Sequence, residues 1–262
     1  NGSLDVAKKL IDVAAVSGCD AVKFQKRNPD VCVPEHQKAV MRDTPWGRMT
    51  YLDYKYKVEF EKREYDIINS YSNEKPIDWT ASVWDLDSLT FMQQYEVPFL
   101  KIPSALITNS ELITESAKTK IPLIISTGMS TLEEIDNAFN LIVKESSKPV
   151  IMHCNSSYPT PKSELNLRVI KTLKDRYDTT IGYSGHEMDL EPSVIAVTLG
   201  AQIVERHITL SHDFWGTDQK ASLEVHAMDL LKKRIQDIDT ILGDHEKKVT
   251  ESEIPIRTKL RG

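Results

Sequence analysis

Cysteine is scarce: only Cys19, Cys32 and Cys154 occur in 262 residues, odd in number and scattered. They offer neither a disulfide framework nor the paired spacing of a thiolate metal site, so a reducing compartment, the cytoplasm, is the expected setting. No run of eighteen or more apolar residues occurs, which leaves no segment reading as a membrane-spanning helix. The first residues lack the pattern of a secretory signal. Positive charge is not in excess: 33 Lys and Arg face 39 Asp and Glu, a net charge of -6, which argues against a nucleic-acid partner. A phosphate ligand stays open, because such a site needs only local N–H donors and a few cations. No internal repeat or low-complexity linker divides the chain. What remains is an ordinary globular balance, 40% hydrophobic and 27% charged, at a length that suits one α/β barrel.

Short apolar, β-branched runs recur. They predict strands near Ala21–Phe24, Ile77–Ala81, Phe99–Ile102, Leu123–Ser126, Val150–His153, Thr180–Tyr183 and Ile203–Glu205. Helical periodicity falls between them. The first helix carries Val6, Leu10, Val13 and Ala14 on one face, with Ser3 as N-cap and Gly18 as a stop. Other helices are expected near Val58–Tyr71, Leu86–Tyr95, Ser110–Ala117, Leu132–Val143, Leu165–Leu173, Pro192–Leu199 and Ala227–Leu242. Strands alternating with helices imply a parallel sheet. Seven strands and eight helices, beginning with a helix, read as an α/β (β/α)8 TIM barrel whose first strand is missing from the chain, with residues 1–262 as a single catalytic domain. The connection from Arg27 to about Thr50 shows little regular pattern and is expected to be a lid or binding loop.

In such a barrel the chemistry sits at the carboxyl ends of the strands. The first strand ends in Lys23-Phe24-Gln25, with Lys23 and Gln25 on one face. A lysine aimed into a barrel is costly unless it meets an anion; the alternative is that Lys23 reaches solvent. Later ends carry Ser82, Lys101 with Ser104, Ser126, Ser156 with Tyr158, and Ser184 followed by His186. A single serine after a strand is more often a helix cap than a ligand, but five such ends opening on one face suit a phosphate monoester. His186 and His207 follow neighbouring strands, which lie about 4.8 Å apart, so both imidazoles can reach one ion. Two neutral nitrogens with open positions suit Mn2+ or Mg2+ and not a four-ligand structural zinc. His153 and Cys154 suggest a nucleophile, although a small buried residue is the simpler reading of Cys154. His36, His212, His226 and His245 read as surface or loop residues.

Taken together, these segments resemble the sialic acid synthases, including those that act on the 6-phosphorylated sugar. The resemblance rests on Asn1-Gly2-Ser3-Leu4-Asp5-Val6-Ala7-Lys8, Lys23-Phe24-Gln25-Lys26, Phe99-Leu100-Lys101-Ile102-Pro103-Ser104 and Ile125-Ser126-Thr127-Gly128-Met129. It continues through His153-Cys154-Asn155-Ser156-Ser157-Tyr158-Pro159, Ile181-Gly182-Tyr183-Ser184-Gly185-His186-Glu187, Val204-Glu205-Arg206-His207-Ile208-Thr209-Leu210 and Gly216-Thr217-Asp218. It implies condensation of phosphoenolpyruvate with an N-acylmannosamine-type sugar and phosphate release by C–O cleavage. Lys23, Ser82, Lys101, Ser104, Ser126, Ser156 and Ser184 then match the phosphoenolpyruvate pocket, His186 and His207 the metal ligands for Mn2+ or Mg2+, and Gln25, Tyr158 and Asp218 the acceptor-sugar positions. Lys23, Lys101, His186 and His207 would be the catalytic set. The resemblance also implies a homodimer; the charge balance and the lack of a long apolar run leave neither nucleic acid nor membrane as an expected partner.

Three departures qualify it. The family's opening strand, with a glutamate near the reacting centre, is not present before Asn1. The position two after the serine of Lys101-Ile102-Pro103-Ser104 is Leu106 where an acidic residue is usual, so the chain is expected either to bind the sugar differently or to prefer one with an apolar or deoxygenated group there. The C-terminal antifreeze-like domain, which supplies an arginine to the partner's site, does not follow Gly262. Legionaminic or pseudaminic acid precursors are alternative acceptors, and a non-catalytic sugar- or phosphate-binding barrel is an alternative of another class.

Overall fold

Side-chain alternation along the strands decides how this chain closes. The structure is a computed structural model that describes residues 2–262. Its strands are β1 (Ala21–Lys26), β2 (Met41–Thr44), β3 (Gly47–Thr50), β4 (Asp78–Val83), β5 (Leu100–Ile102), β6 (Leu123–Ser126), β7 (Val150–Cys154), β8 (Ile181–Gly185) and β9 (Ile203–Arg206). Seven form one sheet in the order β1-β4-β5-β6-β7-β8-β9, and every pair is parallel. All seven expected strands form. Helices connect most of them, as parallel pairing requires.

One face of the sheet is apolar. Val22, Trp79, Ala81, Leu100, Ile102, Leu123, Ile125, Ile151, Ile181 and Tyr183 join the main core with Ile11, Ile68, Met92, Ile113, Ile142 and Ile170 from the helices. Each fully buried aliphatic side chain contributes about 1.5–3 kcal/mol, so this layer drives the sheet to wrap inside its helices. The strand register puts Lys23, Gln25, Ser82, Lys101, Ser126, Cys154, Ser184 and Glu205 on the opposite, inner face. A polar interior costs free energy unless its groups pair, which marks it as a site and not a filler.

The edges of the curled sheet are β1 and β9. They do not pair by backbone hydrogen bonds. Their side chains do meet: Lys23 Nζ lies 2.7 Å from Glu205 Oε1. Outside this opening, a smaller cluster of Leu223, Met228 and Leu231 packs with Val13 of the first helix, so the helical layer continues around the gap. The sheet is therefore a curled half-barrel of the TIM type.

The first helix runs Leu4–Val16; the Ser3 hydroxyl accepts from the Val6 N–H at 3.4 Å, and Gly18 turns the chain away at φ +73°. The expected helix Ala227–Leu242 is two, Val225–Gln236 and Ile238–Leu242, joined at Asp237. The connection from Arg27 to Thr50 is ordered, contrary to its pattern-poor reading. It holds the short helices Pro29–Cys32 and Glu35–Lys38 and the antiparallel hairpin β2–β3, followed by helix Tyr51–Val58. The hairpin escaped sequence reading because neither of its faces is buried in the core, so no apolar alternation marks it. Among the described residues no helix is long and apolar enough to cross a membrane.

Candidate active site

Four inward-facing side chains converge near the strand ends. Lys101 Nζ lies 2.9 and 3.1 Å from the two Glu205 oxygens, Lys23 Nζ lies 2.7 Å from Oε1, and the Ser184 hydroxyl donates to Oε1 at 3.0 Å. The anion that Lys23 meets is thus in the protein. Burial alone would raise the Glu205 carboxyl, but the Lys101 and Lys23 charges overcome it and hold the group well below the usual carboxylate range. Burial pushes the Lys23 ammonium down to about 8, against the pull of Glu205. Two ammonium groups on one carboxylate leave local positive charge, which suits a second anion.

Beside them lies a cradle built on Gly128. Its N–H donates to the Ser104 hydroxyl at 3.0 Å, and that hydroxyl lies 3.1 Å from Cys154 Sγ. A Cβ at Gly128 would stand 2.2 Å from the Ser156 hydroxyl and 2.9 Å from that of Ser104. Only glycine admits both oxygens so close to the backbone. Ser82 and Ser126 are buried on the same face, Ser82 in register with Lys101. Cys154 is a small buried neighbour of this cradle, and His153 is held through Nε2 by the Leu165 carbonyl at 2.8 Å, so neither forms a nucleophile dyad.

The two histidines come together as expected. Their ring centroids are 5.3 Å apart at 68°. His186 Nδ1 donates to the Asn155 carbonyl at 2.5 Å, which leaves Nε2 as the acceptor of the Tyr158 hydroxyl at 3.0 Å. Burial pushes His186 down to about 4 and also lowers His207, so both rings are neutral near pH 7. A neutral imidazole whose far N–H is fixed by a carbonyl is the form in which histidine ligates metal. Among the described residues no group of three or more His, Cys, Asp and Glu gathers for a metal. The donors therefore fit a divalent ion that completes its sphere with water or substrate, and do not fit a closed structural site.

Tyr158 and Asp218 border the histidines. The Tyr158 ring lies 4.1 Å from His186, and Asp218 Oδ2 lies 3.8 Å from His207 Nδ1. Gln25 is exposed at the mouth, where its Oε1 accepts from Arg27 Nη2. Leu106 is half-buried in the short 3-10 turn Ser104–Leu106 and packs against the main core. His36, His212, His226 and His245 are exposed, as expected. Glu205, the anion at the centre, was not singled out from the sequence, although its place two residues before His207 puts both on one face.

A model of the NeuB family matches residues 10–247. The chain belongs to the NeuB family. It is 34% identical over 258 residues, 97% of this chain and 77% of the relative, to the N,N'-diacetyllegionaminic acid synthase of Campylobacter jejuni. It is 39% identical over 241 residues to the N-acetylneuraminate-9-phosphate synthase of Drosophila melanogaster, covering 89% of this chain and 64% of the fly protein. The solved N-acetylneuraminic acid (sialic acid) synthetase of Leptospira borgpetersenii, in complex with citrate, superposes with a TM-score of 0.86 at 32% identity over 99% of this chain and 88% of that one. The NeuB relatives are nonulosonic acid synthases, and the barrel-type fold is theirs too.

Proposed function

We propose that this chain condenses phosphoenolpyruvate with an N-acylated hexosamine in its open-chain form to give a nonulosonic acid and inorganic phosphate. The observation that carries the reading is the convergence of Lys23, Lys101 and Glu205 on the inner face beside the neutral pair His186 and His207. In the reaction C3 of phosphoenolpyruvate bonds to the aldehyde carbon, whose oxygen becomes a hydroxyl. Water adds at C2, and the bond from C2 to the bridging oxygen breaks as phosphate leaves. Lys23 and Lys101 hold the anionic substrate. The hydroxyls of Ser82, Ser104, Ser126, Ser156 and Ser184 surround it. The Glu205 carboxylate favours positive charge developing at C2. Gln25, Tyr158 and Asp218 orient the acceptor's polar groups. A divalent ion held by His186 and His207, Mn2+ or Mg2+, would supply a Lewis acid for the aldehyde oxygen. A cytoplasmic homodimer goes with this reading.

The test is phosphate release from phosphoenolpyruvate labelled with 18O in its bridging oxygen. The acceptors are N-acetylmannosamine, its 6-phosphate and the 6-deoxy diacetamido hexoses. Labelled phosphate with one acceptor supports the reading and identifies the sugar. No release with any of them overturns it in favour of a binding barrel.

A further inference from the structure

Directly after His186 comes Glu187, and directly before His207 comes Arg206. Both side chains point away from the site, to the outer face of the sheet, and meet there. Arg206 Nη1 lies 3.2 Å from Glu187 Oε1, with the side chains 3% and 1% exposed, a close charge contact in which neither Glu187 Oε1 nor Arg206 Nε has a hydrogen-bond partner among the described residues. The Tyr183 hydroxyl donates to Glu187 Oε2 at 2.8 Å. Arg206 also donates to the Asp189 carbonyl and the Ser193 hydroxyl, each at 3.1 Å, and to the Glu187 carbonyl. Gly185 lets the carboxylate rest against the backbone: a Cβ there would stand 2.7 Å from Glu187 Oε1. Gly185 is also the register partner of Arg206 across β8 and β9. One buried ion pair therefore ties the end of β8 to the end of β9 immediately behind the two imidazoles.

A buried ion pair is a poor source of stability, because desolvation offsets its attraction and an apolar pair of similar volume often serves as well. Its effect is positional: the guanidinium is fixed by its hydrogen bonds to the Asp189 and Glu187 carbonyls and the Ser193 hydroxyl, and the carboxylate by the Tyr183 hydroxyl, so the charge contact holds two strand ends together. We propose that Glu187 and Arg206 are positioning residues for His186 and His207: the pair behind the strand ends sets the separation of the two imidazoles and so their joint affinity for a divalent cation. This rests on the histidine pair being a metal site, as read above.

The experiment compares the whole chain with Glu187→Gln, the double variant Glu187→Leu with Arg206→Met, and His207→Ala. It measures free Mn2+ by electron paramagnetic resonance during titration, together with the melting temperature and metal-free phosphoenolpyruvate binding. Glu187→Gln and the double variant are expected to weaken Mn2+ tenfold or more, the range seen when groups behind a metal's ligands are lost. Glu187→Gln leaves Arg206 buried without its partner and should melt lower, whereas the double variant should melt near the parent; phosphoenolpyruvate binding should stay near that of the parent in both, and His207→Ala should abolish Mn2+ binding. Mn2+ affinity within twofold of the parent in the double variant overturns the proposal, as does an affinity loss confined to Glu187→Gln and matched by its lower melting temperature. If the parent binds no Mn2+, the metal reading fails by itself. The positioning role is then decided by 15N NMR of the imidazoles: a single Nδ1–H tautomer of His186 that averages in Glu187→Gln supports it, and an unchanged spectrum overturns it.

Discussion

Lys23 on the first barrel strand and Glu205 on the last meet at 2.7 Å across the side of the barrel where the two edge strands do not pair. Lys101 reaches the same carboxylate from β5. The three charges join opposite walls of the interior, and together they present net positive charge to the mouth.

Glu205→Gln should therefore destabilise the protein and make it dependent on added anion. Removing one partner of a buried pair leaves uncompensated charge and costs about 3–5 kcal/mol. That corresponds to a fall in melting temperature on the order of 10 °C for a chain of this size. Phosphate or phosphoenolpyruvate can take the place of the lost carboxylate, so either should recover part of the loss. A variant that melts like the parent with and without phosphate would remove Glu205 from the centre of the site.

Lys101→Ala should weaken phosphoenolpyruvate and leave the acceptor little changed. Its side chain is 2% exposed, bonds Glu205 and lies in register with Ser82 on the inner face. Losing one charge-assisted contact costs about 1.5–3 kcal/mol, roughly a tenfold to hundredfold rise in the KM for phosphoenolpyruvate. A rise confined to the KM of the sugar would place the two substrates the other way round.

Much of this site was legible in the strand ends, because a polar residue after an apolar run has few places to go in a barrel. The seven strands, Lys23, Lys101 and the histidine pair all followed from that logic. Glu205 did not, because an acidic residue late in a strand reads equally as a solvated end; only its pairing with two lysines from distant strands decides the matter. The packing of Leu106 against the core was not legible either, because the neighbours of a motif position are a tertiary fact. The hairpin β2–β3 and the Gly128 cradle also depend on contacts between elements far apart in sequence.

Without metal, stability should fall as pH drops from about 6.5 towards 4. His186 in the folded chain resists protonation until about 4, chiefly because it is buried, whereas in the unfolded chain it titrates at its ordinary value of 6.5. The unfolded state thus binds more protons in that window and is favoured as pH falls, by roughly 3 kcal/mol in full. Glu205 acts in the same direction at lower pH, since its folded value is also depressed. Melting curves in EDTA should show this slope, and His186→Gln should flatten the part between pH 6.5 and 4. Equal slopes in the two proteins would mean that His186 is solvated.

The hairpin tip should control acceptor binding. Trp46 packs edge-on against Trp215 at 6.3 Å, and Trp215 against Tyr54 at 5.0 Å, three residues before Asp218. Such aromatic pairs contribute about 0.5–1.5 kcal/mol each beyond their buried area. Trp215→Ala should free the hairpin, exposing residues 41–50 to limited proteolysis, and should raise the KM of the sugar severalfold with that of phosphoenolpyruvate unchanged. Unaltered proteolysis and kinetics would mean that the aromatic contacts do not hold the mouth.

Gly128 offers the sharpest test of the cradle, because the smallest possible change falls at its centre. Adding one methyl places a carbon 2.2 Å from the Ser156 hydroxyl, 2.9 Å from the Ser104 hydroxyl and 3.0 Å from Cys154 Sγ. None of these is the far end of a long flexible side chain, so the loops after β5 and β7 must shift together or the hydroxyls must rotate out of the pocket. Overpacking of this kind costs about 1–3 kcal/mol of stability. The functional effect should be larger, since the N–H of residue 128 and both serines would lose their mutual alignment. Gly128→Ala is expected to remain folded, to lose most phosphoenolpyruvate binding by calorimetry, and to keep Mn2+ binding at the histidine pair. Replacing Ser156 by glycine in the same chain removes the closest clash and should restore part of the affinity. If Gly128→Ala binds phosphoenolpyruvate as the parent does, the anion lies elsewhere on the inner face, and the serines around Gly128 serve only to close the strand ends.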